Sequence, residues 1–253
     1  MLDLQKASIL KRVSAWLLDA ILLMTLVVGI ASLISGIVGF DAQGQKLEDY
    51  YNQYEKEYGV TFEIAQEEYE AMTQEEKANW DAAYAALIGD KDAMYTYNMV
   101  LTLTLLVVSL SILFSYLILE FAVPLVFGNG QTVGKKIFNL AVMRTHGVKM
   151  NGVAMFIRTL LGKYTLETMI PVLVVIMLMF NMTGIMGTML VLAILVAQVV
   201  LMIVTKTNSA IHDLLADCVV VDMASQMIFD SDEDLLAYKK KVSAENASQS
   251  KYF

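Results

Sequence analysis

The chain has 253 residues, 57% of them apolar, only two prolines and a formal net charge of −8. With a mean hydropathy of +0.56 and several long charge-free runs, this composition excludes an ordinary soluble domain and points to an integral membrane protein. A single cysteine, Cys218, excludes an internal disulfide, and the charge informs only through its distribution, since 14 of the 26 acids fall between Asp41 and Asp92.

Residues 1–40 read as a short basic leader followed by the first transmembrane helix. Lys6, Lys11 and Arg12 precede the apolar run as in a signal peptide. The run is about twice the usual apolar length and has no small-residue cleavage site, so an uncleaved span is expected. From about Val13 to Phe40 it is long enough, at 1.5 Å per residue, to cross a ~30 Å hydrocarbon core. Asp19 lies inside it, where a carboxylate is disfavoured by roughly 2.5–3.5 kcal/mol and needs a partner. Arg12 is seven residues earlier, on the same helix face but ~10 Å nearer the headgroups. Arg12 is therefore expected to snorkel to the interface, leaving Asp19 to hold a proton or to find Gln198, Ser109 or Ser111 on another helix.

Residues 41–97 form an acidic extracellular insert with 14 acids against four lysines. Thr73 and Glu76 make a capping box ahead of EEKANWDAAYAALIG, where Trp80, Tyr84 and Leu87 share a face, so two or three short helices are expected. The insert carries no calcium-loop pattern and no Cys/His cluster; neither a metal nor a cofactor is expected, and its plain reading is a solvated acidic face. Residues 98–123 are the second transmembrane helix, closed by Glu120 and Pro124, with Glu120 expected in a surface ion pair with Lys135 or Lys136. Residues 124–163 read as a basic cytoplasmic loop and interfacial helix: no acid lies between Pro124 and Thr165, against the six bases Lys135, Lys136, Arg144, Lys149, Arg158 and Lys163. AMFIRTLLGKYTLE is expected to be an amphipathic helix running along the inner leaflet. Under the positive-inside rule this segment and the leader face the cytoplasm, and the acidic insert faces out.

Residues 164–205 hold transmembrane helices 3 and 4, broken at Asn181-Met-Thr-Gly184, with Glu167 at the inner end of the third and Gln198 as the only strongly polar side chain of the fourth. Residues 206–222 place His212 and Asp213 on a short helical turn capped by Asn208 and Ser209, followed by CVVV as a brief extended run. Residues 223–253 are a cytoplasmic tail expected to be partly disordered. The expected fold is an all-α membrane protein: a four-helix transmembrane bundle with a cytoplasmic amphipathic interfacial helix and a small helical extracellular insert, in the plasma membrane with both termini cytoplasmic.

Several patterns do not carry chemistry. In GNGQTVGKKI only three residues separate Gly130 from Gly134, where a phosphate loop needs four, and Lys135 is followed by another Lys. His212-Asp213 near Cys218 lacks any oxyanion motif, so no enzyme is expected. His146 in MRTHGVKM reads as a turn residue, the 17 methionines have no repeated ligand spacing, and no nucleic-acid partner is expected.

Three ordered motifs do carry a resemblance: Arg12 and Asp19 at the head of the first span, GQTVGKKIFNLAVMRTHG after the second, and the closing NSAIHDLLADCVVVD. Together they resemble the RDD family of bacterial membrane proteins, whose signature of one arginine and two aspartates falls here on Arg12, Asp19 and Asp213. The chain departs from the pattern at Asp217, where Gly is frequent, and in its longer outer insert. The resemblance implies transport, with cation–proton exchange described for some relatives. On the residues themselves, a carboxylate inside the bilayer can hold a proton and exchange it for a cation when its access changes. The leading expectation is a small-cation or proton-coupled transporter, or its membrane subunit, with Asp19 the exchangeable site. Arg12 and Asp213 form a charge pair at its inner mouth, the acidic insert is a salt-sensitive cation attractor, and Glu120, Gln131, Thr132, Gly134, Lys135, Glu167, Gln198 and His212 are supporting polar residues. Four spans leave little room for a private pathway, so a homo-oligomer is implied. The alternative is a non-transporting membrane adaptor in which Arg12, Asp19 and Asp213 are structural and the insert and tail recruit partner proteins.

Overall fold

A computed structural model describes residues 7–179 and 184–249. The chain is mostly helical, and among the described residues four helices are long and apolar enough to cross a membrane: Ile9–Val38, Lys91–Phe127, Gly152–Leu178 and Ile185–Val204. They are called the first to fourth spans below. The expected break at Asn181 to Thr183, like Lys6 of the leader, lies outside the described residues. Along the first span Trp16, Ile21 and Met24 are more than half exposed within the protein, an apolar surface that suits lipid contact rather than water.

The chain divides into two compact units: the described residues up to Val27 together with those from Ile112 onward, and Val28–Ser111. In the second of these, Gly39 takes a left-handed φ of 69° that ends the first span, and the helix Phe40–Tyr58 follows. Gln66–Ala71 and Gln74–Gly89 complete the insert. The expected capping box is present, Thr73 accepting from the Glu76 N–H while the Glu76 carboxylate accepts from the Thr73 N–H at 2.8 Å. Trp80 stacks on Tyr84, and Phe62 meets both edge-on, so an aromatic cluster holds this small unit together. The second span starts at Lys91, earlier than residue 98, because the Asp90 carboxylate accepts the N–H groups of Asp92 and Ala93 and caps it.

The other unit corrects three expectations. First, the protein is not wholly α: Leu140–Arg144 (β1) and Cys218–Asp222 (β2) pair antiparallel, from Leu140 opposite Asp222 to Arg144 opposite Cys218. The CVVV run is extended as expected, and its partner is the strand that follows GQTVGKK. Second, AMFIRTLLGKYTLE is not a helix of its own but is continuous with the third span, and Arg158 and Lys163 are buried. The physical reason is that each basic group meets a carboxylate inside the protein and has no need of headgroups. Third, the tail contains a helix, Asp232–Gln249, started by Ser231, which accepts the Asp234 N–H, and anchored by Leu235 against Val148 and Phe229. His146 does lie in a turn, beside Gly147 with φ 99°.

Two stretches of the spans widen into π-helix, Leu117–Ala122 in the second and Ile157–Met169 in the third. Such i→i+5 turns are uncommon and concentrate at functional sites. Here they carry Glu120, Arg158, Lys163 and Glu167.

Candidate functional site, a charged cavity among the spans

Asp19 is held by the loop after the second span. Its Oδ1 accepts the backbone N–H of Gly134 at 2.7 Å, and its Oδ2 accepts the Thr132 hydroxyl. The Lys135 ammonium stands 3.7 Å from the same Oδ2 and donates to Thr132 Oγ1 at 3.1 Å. Thr132 also caps the turn Val133–Ile137, and Gln131 ties the loop to β1 by donating to the Leu140 carbonyl at 2.7 Å. Gly134 is required by proximity: a Cβ there would overlap the Ala15 carbonyl oxygen and lie 2.9 Å from the Asp19 carboxylate. GQTVGKK thus cradles a carboxylate with a backbone N–H, a hydroxyl and an ammonium, the donor types that a phosphate loop turns on phosphate. The partners expected for Asp19 are engaged elsewhere: Gln198 Oε1 accepts the Ile211 N–H at 3.1 Å, and Ser109 and Ser111 donate to carbonyls of their own helix.

Asp213 is the centre of a second cluster and is fully buried. Arg158 donates to its Oδ1 through Nε at 3.0 Å and Nη2 at 2.9 Å, and Arg12 reaches its Oδ2 at 3.3 Å while also donating to the Thr207 carbonyl at 3.1 Å. The expected contact between Arg12 and Asp213 is therefore direct, whereas Asp19 belongs to Thr132, Gly134 and Lys135. Burial opposes the ionised form of Asp213, but His212 and then Arg158 and Arg12 outweigh it and hold the carboxyl well below its usual range. Two further pairs complete the set. Glu120 is buried rather than at the surface, and it meets Lys163 at 2.6 Å instead of Lys135 or Lys136; the Lys136 ammonium sits over the Phe127 ring. Glu167 takes the His212 ring at 2.7 Å through Nδ1 and also accepts the His212 N–H at 3.0 Å. Gly162 makes that approach possible, because a Cβ there would overlap His212.

The four acids and their basic partners line one cavity of about 580 Å³. Its wall carries four carboxylates, Asp19, Glu120, Glu167 and Asp213, against four fixed cations, Arg12, Lys135, Arg158 and Lys163, with His212 between them and Trp16, Leu23, Ile194 and Met202 supplying apolar surface. Burial, followed by repulsion from Lys163, pulls Lys135 down to about 8 despite Glu120 and Asp19. Cys218, beside Asp213 and Arg158, is pushed up to about 12 chiefly by burial, so its thiol stays protonated. Among the described residues no group of three or more His, Cys, Asp or Glu side chains is arranged to hold a metal ion. Sequence reasoning missed Arg158 and Lys163 as cavity residues. The available signal is a count: four acids in or beside apolar runs require as many buried cations, and the acid-free stretch supplies three of them.

The fold and the cavity define a multi-pass helical membrane protein with a polar chamber lined by paired charges. The chain matches the RDD family over residues 6–217, most of its length, and belongs to that family. Arg12, Asp19 and Asp213 all lie in the matched stretch. No match is found among curated proteins or solved structures.

Proposed function

We propose that this protein is a small-cation or proton-coupled transporter, exchanging a small cation for protons, or the membrane subunit of such a transporter. The observation that carries this reading is the cavity itself. An apolar protein that keeps four carboxylates and four bases around one 580 Å³ space retains groups that cost stability unless they are used or fully paired. Asp19 reaches that space with its donors placed around it. The competing adaptor reading draws on the pairing: each of the four carboxylates already has a basic partner, so the network alone can hold the spans together.

Asp19→Asn separates the two. Asparagine keeps the shape and can still accept the Gly134 N–H. With transport, cation flux in reconstituted vesicles falls about tenfold or more while membrane abundance stays within about twofold of wild type. Loss of abundance in step with flux assigns Asp19 to structure and removes the transport case.

The topology proposed with this function places both termini and the cavity on the cytoplasmic side of the plasma membrane, with the acidic insert outside. In a Cys218→Ala background, cysteine placed at Glu67 is expected to react with an impermeant reagent on intact cells. Cysteine placed at Lys149 should react only after permeabilisation. The opposite pattern inverts the protein.

A further inference from the structure

Of the four fixed cations in the cavity, three are committed. Arg12 and Arg158 both bind Asp213, and an arginine does not give up its proton in a protein. Lys163 stands 2.6 Å from Glu120. Lys135 has the loosest pairing, 3.7 Å from Asp19, and its other contact is the neutral Thr132 hydroxyl. The charges near it come from every element around it: Asp19 on the first span, Glu120 on the second, Arg158 and Lys163 on the third.

Resting on the exchange reading, we infer that Lys135, rather than Asp19, carries the exchanged proton, and that the ion moved against it is a monovalent cation which takes over the place of the Lys135 ammonium beside Asp19. The charge balance fixes the class of ion. Lys135 is the cation 3.7 Å from Asp19, so the charge at stake is that of this one pair. Loss of one proton from Lys135 removes the positive charge beside Asp19 in a poorly solvated space, and one monovalent cation restores it. A divalent ion overshoots by one charge. When the ammonium reforms, it again competes for the Asp19 oxygen and drives the cation out, so proton and cation exclude each other with a one-for-one exchange of charge. The low proton affinity of the buried ammonium, which titrates at about 8, lets the switch operate near neutral pH.

The test uses the full-length protein in vesicles, with Na+ or K+ gradients as the drive, an internal pH dye as one readout and isotope uptake as the other. Wild type is expected to move protons against the cation, with cation affinity about 100-fold weaker at pH 6 than at its alkaline plateau, the competition set by a single site two pH units away. Lys135→Arg keeps the ion pair but cannot deprotonate, and exchange is expected to fall about tenfold or more with unchanged thermal stability. Lys135→Met removes the competitor. Cation uptake should then continue without proton counterflow, its affinity varying less than about twofold over the same pH range. Exchange that survives Lys135→Arg, or a wild-type pH dependence in Lys135→Met, overturns the role of Lys135 while leaving the exchange reading in place. A wild-type protein that moves no protons against either cation overturns both.

Discussion

Gly134→Ala is expected to cost the protein roughly 3 kcal/mol or more, combining overpacking with loss of a charged hydrogen bond. The added Cβ meets the Ala15 carbonyl and the Asp19 carboxylate, neither of which is the free end of a flexible chain. One is backbone in the first span, and the other is fixed by Thr132. To make room, the loop must withdraw from the first span, and Asp19 then loses the Gly134 N–H that satisfies its Oδ1. The carboxylate is left in a poorly solvated wall with one donor fewer, the most expensive kind of vacancy. Gly152→Ala is the control, because a Cβ there meets nothing within 4 Å. Thermal unfolding in detergent and membrane abundance should both fall for the first variant and stay at wild type for the second. A Gly134→Ala protein as stable as wild type means that the loop does not seat against the first span as described.

The same residues show what a single sequence reveals and what it withholds. The spans are legible because charge-free runs of that length rarely fit anything but a membrane, and Asp19 is conspicuous because it interrupts one. Its need for a partner follows from elementary electrostatics, but the partner's identity does not. Thr132 is 113 positions away and sits in a loop, whereas reasoning from helix depth searches other helices and arrives at Gln198 or a serine. The basic stretch is ambiguous for a related reason. Arg158 and Lys163 interleaved with apolar residues describe equally well a helix on the membrane surface and one whose charges point inward at acids. Only the positions of Asp213 and Glu120 in the folded protein decide between them. β1 is hidden because five residues buried on nearly every side chain show no alternation, while β2 is detectable from its run of valines.

Asp213→Asn is the second variant expected to have a large effect, about 3–5 kcal/mol of destabilisation, the range for removing one partner of a buried ion pair. Asparagine is nearly isosteric, so the loss is not one of packing. Arg158, 1% exposed, loses an anion that took two of its N–H groups, and Arg12 loses its anion near the N-terminal end of the first span. Two guanidiniums then face each other around a neutral amide, and neither can shed its charge. His212 loses the carboxylate 3.3 Å from its Nε2, which loosens the turn it shares with Glu167. The pH dependence has a definite sign. Because the Asp213 carboxyl titrates well below its ordinary value in the folded protein, its contribution is present at pH values above the usual carboxylate range and is lost only as pH falls through the depressed value. Mild acidification of wild type should therefore not reproduce the variant. Pairing Asp213→Leu with Arg158→Met removes charge from both sides of the tightest contact and is expected to recover a large part of the lost stability, since apolar replacement of a buried pair is often neutral. Arg12 keeps the Thr207 carbonyl in that background. An Asp213→Asn protein with wild-type unfolding, or a double variant no better than the single, would show that the three residues are neighbours without being coupled.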